Sequence, residues 1–417
     1  MAIRAFALAV LMSIATSAAA QPDAAELGAG SGYPFAHLDA GFSLFADRYK
    51  IGNFTNMERI FWPRRIEAAA LPRALSSSAQ ELQVRYPYGG AQYGVDDLLA
   101  RQRIMGLLVL KGDTIVLERY QYGRGPGDKF ASFSMAKTIT GLLVGIALRE
   151  GAIRSLDDRA DAYAPDLRGT VYAGASIRTL LRMSSGARWS DRAVPGADTP
   201  IARLTGDTYY RRGAGGSAAI SEVREVAAPP DTKFNYSSAE TFALGLVLRG
   251  AVKRDLATFA SRALWQPLGA ESAASWLTDA SGMEAAFCCI NATLRDYGRL
   301  GLLLAADGEF RGTSVVPRDY LLDATEASRQ PEYLKPRRAT PFFGYGYQTW
   351  IYPFRTRTFQ ARGLFGQELI VQPDSGVVIV IASALKTGDI PDDIQIERNY
   401  FVGAVLKALG GRADVYR

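Results

Sequence analysis

Residues 132–138 read SFSMAKT, and they open the apolar run TITGLLVGIAL at residues 138–148. The run is long enough for a helix, and Gly151 follows it where a left-handed helix cap is common. A helix that begins at Ser134 carries Ser134 and Lys137 on one face, because residues three apart are neighbours on a helix surface. The stretch therefore predicts a serine hydroxyl and a lysine amine within reach of each other.

This pair can perform nucleophilic chemistry without histidine. The first N–H groups of a helix and its dipole favour the negative charge that develops when a serine attacks a carbonyl. A lysine buried among apolar neighbours can act as the base that takes the serine proton. The sequence has one histidine, His37, which is expected to be a structural or surface residue. We therefore predict a serine–lysine hydrolase site at Ser134 and Lys137.

The chain contains a second serine three residues before a lysine, at Ser383 and Lys386. A sequence of 417 residues is long enough to produce such a spacing by chance. The first copy opens a long apolar helix after a predicted strand hairpin, at residues 106–110 and 114–120, whereas the second copy trails off the last predicted strand. The context favours the first copy as the functional site. The alternative is that its spacing is accidental and that its helix is purely structural.

Predicted strands lie at both ends of the main part of the chain. After the hairpin, a mostly helical insert is expected at about residues 150–335, and strands return at residues 345–352, 359–372 and 377–382. Strands that surround a helical insert predict one antiparallel sheet closed by distant segments and flanked by helices, an α/β or α+β fold.

The first twenty residues have the pattern of a secretory signal peptide, with Arg4 before an apolar core and small residues at 18–20. We expect an exported, periplasmic protein with no transmembrane anchor, since no later apolar run reaches the length of a membrane span. Residues 21–100 are expected to be an N-terminal extension packed on the core, and residues 101–417 the main domain.

Composition and charge limit the partners and cofactors that the protein is expected to have. The formal net charge is +6, but the basic residues are scattered, which argues against a nucleic-acid partner. The two cysteines, Cys288 and Cys289, are adjacent; two buried thiols are expected, with a disulfide between neighbours as the alternative. One histidine and one pair of adjacent cysteines are too few to predict a zinc site, although a metal site made only of carboxylates is left open. The sequence implies no cofactor. The sequence does not indicate the oligomeric state.

Two further motifs accompany the first one, FNYSS at residues 234–238 and GLFGQ at residues 363–367. With SFSMAKT, in this order, they resemble the serine hydrolases related to class C β-lactamases, and most closely the 6-aminohexanoate-dimer hydrolases and their esterase relatives. The resemblance covers about residues 100–410. It implies a β-lactamase/transpeptidase-like fold and a hydrolase that forms an acyl-enzyme.

The resemblance also implies a role for each matching residue. Ser134 corresponds to the nucleophile, Lys137 to its base, and Tyr236 to the tyrosine that passes a proton to the leaving group. The backbone N–H groups of Ser134 and Leu364 would form the oxyanion hole. Gly363 would let the strand backbone approach the acyl group closely.

Three more residues are candidates for the substrate cleft. Trp189 and Asp191 follow Gly186 on a predicted loop, and Ser238 ends the second motif. Each of them also has a structural alternative. Trp189 can be an ordinary, partly buried tryptophan, Asp191 a solvated carboxylate, and Ser238 a residue that caps its helix.

The family pattern is not complete in this sequence. β-Lactamases place a Lys-Thr-Gly on the strand beside the nucleophile to hold the ligand carboxylate, whereas residues 361–363 read ARG here, with Arg362 expected on the opposite strand face from its neighbours. A literal KTG at residues 386–388 comes after the final strand, so we expect it to lie outside the site. Ser238 also stands where β-lactamases usually carry asparagine.

These observations predict an exported serine hydrolase that cleaves a small-molecule amide or ester. One alternative is a penicillin-recognising peptidase or β-lactamase on the same fold. The other is a catalytically silent protein that binds a ligand of the cell envelope.

Overall fold

The structure of the protein is a computed structural model, and it describes residues 21–38, 43–192, 197–211 and 213–415. The signal peptide predicted at residues 1–20 lies outside the described residues.

The described residues form short and long strands and helices, with an uninterrupted series of helices between residues 135 and 260. The strands are β1 (Pro63–Ile66), β2 (Ser76–Ser77), β3 (Tyr86–Tyr88), β4 (Ala91–Tyr93), β5 (Ile104–Lys111), β6 (Thr114–Tyr120), β7 (Lys129–Ala131), β8 (Ala274–Leu277), β9 (Ile290–Thr293), β10 (Glu309–Phe310), β11 (Thr313–Ser314), β12 (Gly344–Tyr345), β13 (Trp350–Ile351), β14 (Phe359–Gly363), β15 (Gln367–Gln372) and β16 (Val377–Ser383). The helices are α1 (Asp47–Thr55), α2 (Met57–Ile60), α3 (Val95–Arg101), α4 (Met135–Arg149), α5 (Ile177–Leu181), α6 (Pro200–Tyr210), α7 (Gly216–Ile220), α8 (Ser238–Val252), α9 (Leu256–Ala260), α10 (Leu294–Ala305), α11 (Arg318–Thr325) and α12 (Asp392–Ala408).

The main sheet has eight strands in the order β12-β13-β14-β15-β16-β5-β6-β2. Its pairings are antiparallel except for the short edge strand β2, which runs parallel to β6. The predicted hairpin is β5–β6, and the strands from the end of the chain pair with it through β16. The expected antiparallel sheet, closed by segments distant in sequence and flanked by helices, is therefore confirmed.

Two hydrophobic cores lie on the two faces of this sheet. Successive side chains of a strand point to opposite faces, and on β5 Leu108 and Leu110 join one core whereas Leu107 and Val109 join the other. The first core also holds α4, α8 and α10, and the second holds α12. Both faces of β5 and β16 are covered, which explains why these strands read as continuous apolar runs.

A second sheet, ordered β1-β8-β9-β7, lies close to the start of α4. Its strands β8 and β9 come from the middle of the chain, which the sequence predicted to be mostly helical. β1 belongs to residues 21–100, and it pairs with β8 from Pro63↔Leu277 to Ile66↔Ala274. The N-terminal residues thus supply strands to both sheets, because β2 is an edge of the main one.

Two of the predicted strands each correspond to two shorter strands in the structure. Residues 345–352 form the short strands β12 and β13 joined by a turn, in which Gln348 has a φ of 55°. Residues 359–372 form two strands, β14 and β15, separated by a helical turn at Leu364–Gly366 in which Phe365 has a φ of 59°. A left-handed residue of this kind leaves no periodic signal in the sequence, so both turns were missed.

The helix predicted to open at Ser134 is α4, with Gly151 in the left-handed conformation just after its end at a φ of 74°. In the described parts of the chain, none of the helices combines the length and apolar character needed to cross a membrane.

A buried ion pair joins the last helix to the main sheet. Arg398 on α12 donates to Glu368 on β15 at 2.7 Å, and their side chains are 1% and 0% exposed. Arg398 also donates to the carbonyl of Gly366, to Gln102 and to Ser383. The guanidinium therefore holds the turn that ends β14.

We predict that Arg398→Met lowers the free energy of unfolding by about 3–5 kcal/mol, because it leaves the buried Glu368 carboxylate without a partner. Urea denaturation would measure the change. The control is the double variant Arg398→Met with Glu368→Leu, which removes both charges and should recover at least half of the loss. A loss below about 1 kcal/mol in the single variant would contradict the role of the pair.

Candidate active site

Ser134 and Lys137 meet at the N-terminal end of α4. Ser134 is the residue that precedes the helix, and Lys137 Nζ donates a hydrogen bond to Ser134 Oγ at 2.9 Å. The spacing of the two residues on one helix turn produces this contact, as expected from the sequence. A serine oxygen and a lysine nitrogen are thus in position to exchange a proton.

Lys137 is 2% exposed, and its surroundings are mostly apolar and aromatic. Its Nζ also donates to the carbonyl of Phe287 at 3.2 Å and lies 4.8 Å from the centre of the Tyr236 ring. No carboxylate of the described residues lies within 4.0 Å of it. The contacts of the amine are therefore one hydroxyl, one carbonyl and an aromatic ring.

The strand β14 approaches the start of α4 very closely at Gly363. A Cβ atom at this position would lie 2.2 Å from the carbonyl oxygen of Ser132. Only glycine permits this approach, which places the turn that follows Gly363 beside Ser134. The residue before Ser134, Phe133, is held in the left-handed region at a φ of 43°.

The two N–H groups predicted for the oxyanion hole both stand at the beginning of a helical turn. Ser134 precedes α4, and Leu364 is the first residue of the turn Leu364–Gly366. The first N–H groups of a helix have no acceptor within the helix. Ser134 and Leu364 line the same cleft, and the role of their N–H groups as an oxyanion hole stays a prediction.

Tyr236 lies just before α8 and lines the cleft together with Gly363. Its ring stacks on Trp350 with centroids 5.3 Å apart and meets Lys137 Nζ over its face. Among the described residues, Lys137 Nζ donates to Ser134 Oγ and the Phe287 carbonyl, and no hydrogen bond joins it to the Tyr236 hydroxyl. The Tyr236 ring is in the site, and its role as a proton relay stays a prediction.

Trp189, Asp191 and Ser238 are brought together, but away from the cleft wall. The Asp191 carboxylate accepts hydrogen bonds from Trp189 Nε1 at 2.6 Å, from the Ser238 hydroxyl at 2.7 Å and from the Ser238 N–H at 2.9 Å. Trp189 and Ser238 are buried. The three residues tie the loop after Gly186 to the first turn of α8, next to Tyr236.

The cleft has a volume of about 340 Å³. It is lined by Ser134, Tyr236, Trp350, Arg362, Gly363, Leu364, Gly388, Asp389 and Ile390.

Two segments that line the cleft were not expected there from the sequence. The KTG at residues 386–388 was expected outside the site, yet its loop forms one wall, because the Phe365 N–H donates to the Gly388 carbonyl at 2.7 Å. Lys386 itself points away, toward Asp23 and Glu26. Arg362 lines the cleft although it packs on the other face of β14 from Ala361.

The second Ser-x-x-Lys has a structural role. Ser383 is fully buried, and its hydroxyl accepts a hydrogen bond from Arg398 at 2.8 Å. Lys386 is exposed, and its side chain lies on the surface near the two carboxylates named above. The two residues are therefore not a functional pair.

The adjacent cysteines form a disulfide, Cys288–Cys289, so the expectation of two thiols was wrong. Both residues are buried, and Cys289 has a φ of 72°, a conformation that the sequence does not reveal. The disulfide directly follows Phe287, whose carbonyl accepts from Lys137. The Tyr209 hydroxyl contacts both sulfur atoms, at 3.2 and 3.0 Å.

The sequence did not indicate the contribution of α1 to the site. Phe54 packs against Phe133 and Phe365, with ring centroids 4.8 and 5.1 Å away, and so supports both left-handed residues beside the cleft. Lys50 donates to the carbonyls of Leu385 and Lys386, at the start of the loop that lines the cleft. These contacts join segments more than 75 residues apart, which no local pattern could show.

Glu240 is a buried carboxyl group on α8, one turn after Tyr236. The Ser185 hydroxyl donates to it at 2.6 Å, and the Ser185 N–H lies 3.3 Å away. Burial raises the pKa of Glu240 to about 8, despite these hydrogen bonds. The group links the loop at residues 184–186 to the helix that follows Tyr236.

The "Beta-lactamase" family matches residues 95–400 of this chain. The 6-aminohexanoate-dimer hydrolase of Paenarthrobacter ureafaciens is 26% identical over 282 residues, which are 66% of this chain and 71% of that protein.

Solved structures of other proteins share the fold of this chain. The putative 6-aminohexanoate-dimer hydrolase from Bacillus anthracis superposes with a TM-score of 0.76 at 23% identity, covering 86% of this chain and 94% of that one. The D-stereospecific amidohydrolase from Streptomyces sp. gives a TM-score of 0.52 at 20% identity, covering 72% and 95%. The β-lactamase/transpeptidase-like fold is thereby confirmed.

Glu240 generates a prediction about the pH dependence of stability. Its pKa is about 8 in the folded chain against 4.5 in an ordinary setting, so the folded state holds a proton that the unfolded state loses. The free energy of unfolding should therefore fall as pH rises from about 4.5 to 8, by on the order of 4 kcal/mol from this group. Glu240→Gln keeps an acceptor for Ser185 and should flatten this fall in urea titrations at pH 5 and pH 8. Equal pH dependence in both proteins would contradict the assignment.

Proposed function

The chain belongs to the beta-lactamase family of serine hydrolases, and we propose that it cleaves a small-molecule amide or ester through an acyl-enzyme on Ser134. The observation that carries the proposal is the buried Lys137 Nζ, 2.9 Å from Ser134 Oγ at the edge of an open cleft. Relatives named as a 6-aminohexanoate-dimer hydrolase and an amidohydrolase support an amide as the bond cleaved.

In the proposed first step, Ser134 Oγ attacks the carbonyl carbon of the substrate while Lys137 Nζ accepts the hydroxyl proton. The C–O bond forms as the carbonyl π electrons move to its oxygen. The N–H groups of Ser134 and Leu364 donate to that oxyanion. This step requires Lys137 to act as a neutral amine, and its Nζ lies 2.9 Å from Ser134 Oγ.

The tetrahedral intermediate then expels its leaving group. We propose that the Tyr236 hydroxyl gives a proton to the departing amine or alcohol and regains one from Lys137. Water attacks the resulting acyl-enzyme by the same route, with the ester bond to Ser134 Oγ breaking and the hydroxyl restored. The Tyr236 ring centre lies 4.8 Å from Lys137 Nζ, and this proximity supports the proposed relay.

A penicillin-recognising peptidase or β-lactamase is the alternative function on this fold. The strand beside Ser134 carries Ala361-Arg362-Gly363, without the Lys-Thr-Gly of the β-lactam-binding relatives. This difference favours the amide or ester assignment. We also propose that the protein is exported, on the strength of the pattern in residues 1–20.

We predict that Ser134→Ala and Lys137→Met each lower kcat/KM by at least about 10³-fold, because each removes a group that acts on the reacting atoms. Tyr236→Phe should lower it by about 10²-fold, the usual contribution of one general acid. Hydrolysis of a panel of 4-nitrophenyl esters and 4-nitroanilides would measure these losses.

The matched control is Lys386→Met, which removes the lysine of the second Ser-x-x-Lys from the surface and should retain wild-type activity. Activity in Ser134→Ala or Lys137→Met at the level of this control would contradict the mechanism. Faster turnover of a penicillin than of any amide or ester in the panel would favour the β-lactamase alternative.

A further inference from the structure

The disulfide Cys288–Cys289 lies in a backbone segment that runs along the start of α4. This segment, residues 285–290, leads into β9 and is buried throughout. Neither cysteine lines the cleft, and the proposed mechanism uses neither sulfur atom. What the bond contributes to the site must therefore come from the backbone that it constrains.

The segment holds the two residues that precede Ser134. The Cys289 N–H donates to the Phe133 carbonyl at 3.3 Å. Ile290 and Ser132 exchange two hydrogen bonds, because the Ile290 N–H donates to the Ser132 hydroxyl at 2.9 Å and the Ser132 N–H donates to the Ile290 carbonyl at 2.7 Å. The direction in which the chain enters α4, and with it the position of Ser134, depends on these contacts.

The same segment also holds the face of α4 that carries Lys137. The Phe287 carbonyl accepts from Lys137 Nζ at 3.2 Å, and the Ala286 carbonyl accepts from the Thr140 hydroxyl at 2.7 Å. Phe287 directly precedes Cys288, so a change in the backbone of Cys288 moves the carbonyl that orients the amine. One segment therefore contacts both members of the proposed catalytic pair.

A bond between adjacent cysteines acts on the local backbone. The entropy that a disulfide removes from the unfolded chain grows with the length of the loop that it closes, and this loop joins neighbouring residues. The two side chains and the peptide between them form a small ring, which restricts rotation at both residues. Cys289 is held at a φ of 72°, where residues other than glycine are uncommon. The ring thus holds the backbone between Phe287 and Ile290 in one conformation.

We propose that the Cys288–Cys289 disulfide is a positioning element of the reaction. It keeps the Phe287 carbonyl against Lys137 Nζ, so that the amine stays within reach of Ser134 Oγ. The inference rests on the proposed function, since it concerns the base and the nucleophile of that mechanism. Without the bond, Cys289 is free to leave the left-handed region, and the groups on either side of it lose their alignment with α4. Turnover then falls, while the cleft still binds the substrate.

The test is the variant Cys288→Ala with Cys289→Ala, assayed on the 4-nitrophenyl ester that the wild-type protein hydrolyses fastest. We expect kcat to fall about 10- to 100-fold, because a misplacement of about 1 Å in a site can cost about 100-fold. KM should stay within about threefold, because the lost contacts orient the reacting groups of the protein and do not touch the substrate. A cooperative thermal transition confirms that the variant is folded.

Single replacements show whether the bond itself is responsible. Cys288→Ala and Cys289→Ala each break the bond, so each should lower kcat as much as the double variant does. The variant Cys288→Ser with Cys289→Ser keeps side chains close in size to the thiols. It should give the same loss, and it tests the proposal if the alanine variant does not fold.

Tyr209→Phe is the matched control, because it removes the hydroxyl beside both sulfur atoms and keeps the bond. Its kcat should stay at the wild-type value. A lower melting temperature with unchanged kcat in the disulfide-free variants would overturn the proposal, since the bond would then serve only the fold. Two free thiols in a titration of the unfolded wild-type protein would overturn it as well.

Failure of this proposal and failure of the proposed function are distinguishable. Ser134→Ala tests the nucleophile in a protein whose disulfide is intact. Turnover that persists in Ser134→Ala would overturn the proposed function and, with it, this inference. Turnover that is lost in Ser134→Ala but unchanged in the disulfide-free variants would overturn this inference alone.

Discussion

The contact between Lys137 Nζ and Ser134 Oγ is the interaction on which the rest of the site depends. It is 2.9 Å long, and the lysine is 2% exposed with no carboxylate of the described residues within 4.0 Å. A lysine so placed is the base that the proposed mechanism requires. Its other neighbours are the Phe287 carbonyl, 3.2 Å from Nζ, and the Tyr236 ring, whose centre lies 4.8 Å from Nζ.

The site is assembled from distant parts of the chain. Gly363 brings β14 against Ser132, Phe54 of α1 supports the two left-handed phenylalanines beside the cleft, and Arg398 of α12 holds the carbonyl of Gly366. These elements position the backbone N–H of Leu364 relative to Ser134, although Phe54 and Arg398 do not line the cleft. The proposed chemistry therefore requires the complete fold, including the N-terminal residues.

The features that were predictable from the sequence are local ones. The spacing of Ser134 and Lys137 and the apolar run after them predicted α4 and the contact at its start, because a helix turn determines both. The ion pair of Arg398 joins α12 to β15, and no local pattern indicates such a partner. Asp191 and Ser238 were candidates for the substrate cleft, and the structure shows that the Asp191 carboxylate accepts a hydrogen bond from the Ser238 hydroxyl, 47 residues away in sequence. Turns with left-handed residues, such as Phe365, were missed for the same reason: their cause is tertiary.

Labelling with a fluorophosphonate tests most directly whether Ser134 is an activated nucleophile. The measurement is the intact mass of wild-type and Ser134→Ala protein after exposure, followed by peptide mapping of any adduct. We expect one adduct, on the peptide that contains Ser134, with none on Ser383 and none in Ser134→Ala. A folded wild-type protein that gains no adduct, or an adduct that persists in Ser134→Ala, would contradict an activated Ser134.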